Sequence, residues 1–298
     1  MIIPEKINIG DKIGILATAR KISWAELNPA IEILESWGLE VVLGKFLFEE
    51  DNQFSGTLEQ RAVDLQNMIN DDAIKTILCA RGGYGTVQII DKIDFSKLHK
   101  NPKWIIGYSD ITVLHSHLNQ LGLATMHATM PINFSKNTQK SLESLQKALF
   151  ETVNFIVSSS HTFNRLGRVE AEIIGGNLSI LYSLLGSNSD INTSGKILFM
   201  EDLDEYLYHI DRMMINMKRN GKFNNLKGMI IGGMSNMNDN DISFGKVAEE
   251  IILEHIKEYN FPICFEFPSG HLDDNRGIRL GVISVLDINE NGVSLSQS

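Results

Sequence analysis

The sequence predicts an α/β protein: a doubly wound, parallel-sheet domain first, then a smaller and less regular unit. Two observations carry this. Between residues 12 and 121, short apolar runs alternate with segments whose apolar residues recur at helical spacing. From residue 134 to about 168 that alternation loosens into polar segments such as SKNTQKS and SSSHTFNR, which read as a connection between domains. The expected division is residues 1–150 and 168–298.

Taken in order, residues 12–17 (KIGILA) form an apolar run followed by a helix-spaced segment with Leu27, Ile31 and Leu34 on one face, then a second strand at 39–43. This βαβ opening implies parallel pairing. Thr57-Leu58-Glu59-Gln60 has the form of a capping box, and Ala62, Leu65, Met68 and Ile69 continue its helix. Residues 75–80 make the third strand, residues 86–93 the next helix, and residues 104–106 the fourth strand. In such a fold the ligand site lies at the carboxyl ends of the strands. The second half contains helices near 178–185, 205–219 and 247–256, with short strands at 197–200, 229–231, 262–265, 277–280, 283–286 and 293–295.

At 298 residues the chain accommodates two domains, and 43% hydrophobic with 21% charged residues describes an ordinary globular composition. A net charge of −10 without a basic stripe argues against a nucleic-acid partner. No secretory leader pattern and no run of eighteen apolar residues is found, so a cytoplasmic protein without a membrane partner is expected. Cys79 and Cys264 each sit inside an apolar run and read as buried thiols. His115 and His117 face different sides of their helix, and no metal-ligand spacing occurs, so neither metal nor cofactor is predicted.

Four constellations can carry chemistry. Ser109 stands between the fourth strand and a helix, beside the unpaired N–H groups that stabilise an oxyanion; the alternative is that Ser109 or Asp110 only caps that helix. Arg81-Gly82-Gly83-Tyr84-Gly85 follows the third strand, and its glycines let backbone N–H groups approach an anionic group or simply make a tight bend. Its spacing fits no nucleotide-binding motif. Arg81 could anchor a substrate carboxylate or pair with an acid of its own chain. His271, in a polar turn, suits a general base. Glu201 ends the strand ILFMED, where a partly buried carboxylate could orient a histidine, while Asp202 and Asp204 read as caps for the next helix.

Together these segments resemble the LD-carboxypeptidases, the muramoyltetrapeptide carboxypeptidase family of serine peptidases that also includes the microcin C immunity peptidases. GDKIGILA, RGGYGTVQIIDKIDF, IIGYSDITVLH, IIGGNLSIL, ILFMEDLDEYLYHIDRMM and PSGHLDDNRGIRLG carry the likeness, in the family's order, over residues 10–281. The resemblance implies a flavodoxin-like N-terminal domain carrying the nucleophile, a C-terminal α+β domain with a β-barrel-like core, and a homodimer. It further implies a Ser109–Glu201–His271 triad. The expected oxyanion donors are the N–H of Asp110 and one from Gly82 or Gly83, with Arg81 and Tyr84 as substrate contacts. The implied reaction is release of the terminal D-alanine from a murein tetrapeptide. The alternatives are an immunity peptidase acting on aminoacyl nucleotides and a non-catalytic ligand-binding relative. Met200 stands where a leucine is usual, a volume-conserving change. His127-Ala128-Thr129-Met130 lacks a usual glycine and proline, which bears on the local loop shape.

Overall fold

The computed structural model describes all 298 residues. The first half runs β1 (Lys12–Leu16), α1 (Trp24–Ser36), β2 (Glu40–Leu43), α2 (Leu58–Asn70), β3 (Ile74–Cys79), α3 (Thr86–Ile89), β4 (Trp104–Gly107), α4 (Thr112–Gln120), β5 (Thr125–His127) and α5 (Gln139–Phe150). There follow β6 (Asn154–Ser158), β7 (Gly167–Asn177), α6 (Leu178–Ser183), β8 (Ile197–Leu203), α7 (Leu207–Arg219), β9 (Gly228–Ser235), α8 (Ala248–Ile256), β10 (Ile263–Cys264), β11 (Ile278–Leu280), β12 (Val282–Asn289) and β13 (Gly292–Gln297).

Five parallel strands lie in the order β5-β4-β3-β1-β2, the flavodoxin-like arrangement, with β11 added antiparallel beside β5. Alternation along the strands fills both faces. Ile13, Ile15, Trp104 and Ile106 pack with Leu27 and Leu34 of α1 and Leu145 of α5, whereas Leu16 and Ile105 pack with Leu65 of α2 and Leu114 of α4. Helices on both faces make the domain doubly wound, as its sequence predicts. The capping box at α2 is formed: Gln60 Oε1 accepts from Thr57 N at 2.8 Å, and Thr57 Oγ1 from Gln60 N at 3.3 Å.

The second sheet has seven strands in the order β10-β9-β8-β7-β12-β13-β6. β7 to β10 pair in parallel, and β12, β13 and β6 complete the sheet antiparallel. Arg165, just before β7, exchanges backbone hydrogen bonds with Ile263 of β10, so the connection after β6 crosses the opposite edge and curls the sheet toward a barrel. Phe199, Ile230, Phe267 and Leu286 fill the interior, and methionines 213, 214 and 217 of α7 cover the outer face with Ile251 and Ile252 of α8. Cys79 and Cys264 are both free and buried.

Two strands tie the halves together. β6 lies inside the stretch read as a connection, yet it pairs with β13. β11 comes from the second half of the chain but joins the first sheet. Arg279 of β11 sends its guanidinium to the carbonyls of Ala148, Glu151 and Thr152, where a cation complements the carboxyl end of α5. A further tie reaches the serine turn: the N–H of Asn177, at the end of β7, donates to Thr112 Oγ1 at 2.9 Å. No helix is long and apolar enough to cross a membrane.

Candidate active site

Ser109 is half-buried in the turn between β4 and α4, with φ +64°. A non-glycine residue in this region is strained and persists only where its surroundings hold it. Part of that support comes from Asp110, but not as a cap of its own helix: the N-terminus of α4 has no side-chain cap. Instead the buried Asp110 carboxylate accepts from Thr86 N at 2.9 Å, the first residue of α3. The expected cap thus serves the neighbouring glycine-rich turn, because the side chain faces across the sheet edge and not back along the chain.

That turn passes close to the serine. A Cβ placed on Gly82 would meet Ser109 Cβ at 3.1 Å and the N of Asp110 at 3.4 Å. Its far end is held by Arg61 of α2, only 2% exposed, whose Nη1 donates to the carbonyls of Thr18 and Gly85 and whose Nη2 donates to Gln88. Sequence reasoning passed over Arg61; the one available signal was a cation on the apolar side of an otherwise regular helix. Arg81 lines the cavity beside the serine but commits Nη1 to the carbonyl of Lys21. Tyr84 points away, 45% exposed and against Phe54, and does not line that cavity.

Glu201 and His271 come from the second sheet. The pairing of β8 with β9 shifts register between Met200 and Asp202, and such an irregularity re-aims the residue it contains. Glu201 is fully buried, and its Oε2 accepts both from His271 Nδ1, at 2.6 Å, and from the His271 backbone N, at 3.1 Å. Gly270, at φ +109°, makes this approach feasible: a Cβ there would lie 2.7 Å from Glu201 Oε2. Ser235 Oγ donates to the His271 carbonyl, and the imidazole rests edge-on against the Tyr108 ring at 4.8 Å. With Nδ1 donating to the carboxylate, Nε2 is left as the acceptor. Burial acts to lower the His271 pKa, but the charge of Glu201 and its hydrogen bond outweigh burial and raise it above 6.5.

Asp202 does not cap the helix after it. Its carboxylate, raised to about 7 by burial and the adjacent Glu201, accepts from Asn177 Nδ2 and Ser179 N at the start of α6. Asp204, at φ +57°, accepts from Asn238 Nδ2.

Ser109 and His271 line one cavity of about 590 Å³ with Arg20, Gly82, Gly83, Lys136, Asp204 and Glu205. The serine and imidazole are not hydrogen-bonded to each other; Glu201 and His271 form an assembled pair, and His271 lines the same cavity as Ser109. A larger groove of about 780 Å³, between α5 and β6, contains none of these residues. Arg20 and Lys136 are the site cations that sequence reading missed. Position was the available signal for Arg20, which lies just past the carboxyl end of β1.

Fold and site together define a class, the serine-type hydrolases, in which a serine at a strand end faces a carboxylate–imidazole pair. The model of the LD-carboxypeptidase N-terminal domain matches residues 13–128, and that of the LD-carboxypeptidase C-terminal domain matches residues 170–286. The chain belongs to the LD-carboxypeptidase family. It is 35% identical to a probable murein peptide carboxypeptidase of Bacillus subtilis (strain 168), over 96% of this chain and 92% of that protein. To the murein tetrapeptide carboxypeptidase of Pseudomonas aeruginosa it is 28% identical, over 94% of each chain. The crystal structure of muramoyltetrapeptide carboxypeptidase from Oxalobacter formigenes has the same fold, with a TM-score of 0.89 at 24% identity, over 96% of this chain and 98% of that one.

Proposed function

We propose that this protein is a serine-type LD-carboxypeptidase that releases the terminal D-alanine from murein tetrapeptides during cell-wall recycling, with Ser109, His271 and Glu201 as its triad. The observation that carries the reading is the buried Glu201–His271 pair, whose free Nε2 faces the cavity that Ser109 lines. In this mechanism Nε2 takes the proton of Ser109 Oγ as Oγ bonds to the scissile carbonyl carbon. His271 then delivers that proton to the departing D-alanine nitrogen, leaving an acyl-enzyme. Water, deprotonated by the same imidazole, releases the shortened peptide. Glu201 holds the tautomer and stabilises the imidazolium. Serine–histidine contacts of this kind tighten in the substrate complex. The N–H groups of Asp110 and of Gly82 or Gly83 would receive the oxyanion, and each such donor is worth about 3 kcal/mol of transition-state stabilisation.

In this reading residues 1–150 carry the nucleophile and residues 168–298 the acid–base pair, and the enzyme works as a cytoplasmic homodimer, which light scattering on the pure protein tests. The activity is tested by incubating the protein with free and disaccharide-linked tetrapeptide and following D-alanine. Release is expected from wild type and is expected to fall by at least about 10⁴-fold in Ser109→Ala. Undiminished release by that variant would overturn the mechanism. Cleavage of aminoacyl nucleotides in place of tetrapeptides would assign the protein to the immunity-peptidase branch.

A further inference from the structure

The cavity is electrically two-sided. One wall, from the first sheet, carries Arg20, Arg81 and Lys136; the other, beyond the end of β8, carries Asp204 and Glu205. Most of these groups already have a hydrogen-bond partner, although Arg81 has no anionic one and its buried Nε has none. Arg81 donates to the Lys21 carbonyl, Asp204 accepts from Asn238, and Glu205 accepts from His209 at 2.6 Å. Even Lys21, next to Arg20, is paired with Glu50. Arg20 and Lys136 are exposed and form neither an ion pair nor a side-chain hydrogen bond. The nearby carboxylate of Glu26 is taken up by the N–H and hydroxyl of Ser23, both at 2.8 Å. Other surface cations are also unpaired; what sets Arg20 and Lys136 apart is that both line the cavity that Ser109 lines.

Arg20 is also placed by the glycine turn. Gly83, at φ +114°, has no side chain, and the stem of Arg20 lies across it: a Cβ there would meet Arg20 Cδ at 2.6 Å. Arg20 therefore flanks the residue next to Gly82, the one against Ser109. Consecutive Cα atoms are about 3.8 Å apart, so a carboxylate that ends a peptide lies about one residue from the scissile carbonyl. A terminal carboxylate that close to a carbonyl over Ser109 stays within the cavity that Arg20 and Lys136 line, where Asp204 and Glu205 repel it.

Resting on the functional reading above, we infer that Arg20 and Lys136 bind the terminal carboxylate of the substrate and so confine cleavage to the last peptide bond. The test compares a tetrapeptide acid with its C-terminal amide, using wild type, Arg20→Ala, Lys136→Ala and Arg20→Lys, with the rate of fluorophosphonate labelling of Ser109 as the measure of an intact serine site. Wild type should prefer the acid. Each alanine variant should lose about 10- to 100-fold in kcat/KM for the acid, chiefly through KM, the range expected for a charged hydrogen bond. Cleavage of the amide and labelling should be unchanged, and Arg20→Lys should recover part of the preference. Alanine variants that keep the wild-type ratio of acid to amide overturn the inference, as does a wild type that cuts both alike; the functional reading survives either result. A wild type that is labelled but cuts neither peptide overturns both.

Discussion

The two sides of the candidate site are held in different ways. On the β8 side, the carboxylate and imidazole meet within one sheet, through two hydrogen bonds to a single oxygen and a glycine that clears the space between them. On the β4 side, Ser109 sits in a left-handed turn with no side-chain partner, flanked by a glycine loop whose last peptide, Gly85–Thr86, is held at its carbonyl by Arg61 and at its N–H by Asp110. The proposed base is assembled locally, whereas the proposed nucleophile and its oxyanion donors depend on long-range supports. Variants on the β8 side should therefore alter proton transfer, and variants on the β4 side should alter stability and access together.

The largest effect is expected for Glu201→Gln. In Ser-His-Asp enzymes the equivalent amide costs about 10⁴-fold in kcat, and a similar loss is predicted here. The pH profile sharpens the point. In the proposed mechanism His271 acts as a base only when neutral, so wild-type kcat/KM should rise with pH through a midpoint above 6.5. Without the carboxylate charge burial is opposed mainly by Asp202, and the midpoint should move down from its wild-type position. The linked stability has the opposite trend: a raised imidazole pKa stabilises the fold fully below 6.5 and loses that contribution as pH rises through the raised value. An unmoved rising limb in Glu201→Gln would break the comparison on the β8 side.

Arg61→Ala comes next. It leaves the Thr18 and Gly85 carbonyls without their buried donor and should cost about 3 kcal/mol in urea unfolding. Labelling of Ser109 should slow, with the pH midpoint unchanged because the Glu201–His271 pair is untouched. The smallest effect is expected for Thr112→Val, which removes the acceptor of Asn177 N at the seam between the sheets. About 1 kcal/mol of stability should be lost, with a slight fall in kcat. A larger kcat loss there than in Arg61→Ala would show that relative placement of the sheets outweighs the shape of the glycine loop.

Much of this was legible in the chain. Periodicity gave the parallel strands, the capping box gave the start of α2, and the apolar run ending before Ser109 gave the turn that carries it. Other features depend on contacts that no local window contains. β6 read as connection because its three apolar residues, Phe155 to Val157, are set between polar segments, and two of them, Phe155 and Val157, face outward at 62% and 50% exposure. The register shift around Glu201 comes from β9, not from ILFMED itself. Tyr84 was expected as a substrate contact, but its ring lies against Phe54 and outside the cavity. Arg20 belongs to no recognisable motif and acquires its place only when Gly83 lies beneath it.

The return of β11 to the first sheet also has a consequence for how the molecule is made. Ile278 pairs with His127 across more than half the length of the chain, and until residues 278–280 have left the ribosome β5 presents an unpaired edge. Such an edge can recruit a strand from another chain. The sheet that carries Ser109 thus becomes complete only near the end of synthesis, after the strand carrying Glu201 and the turn carrying His271 have emerged. A truncated first half should aggregate where the full chain folds.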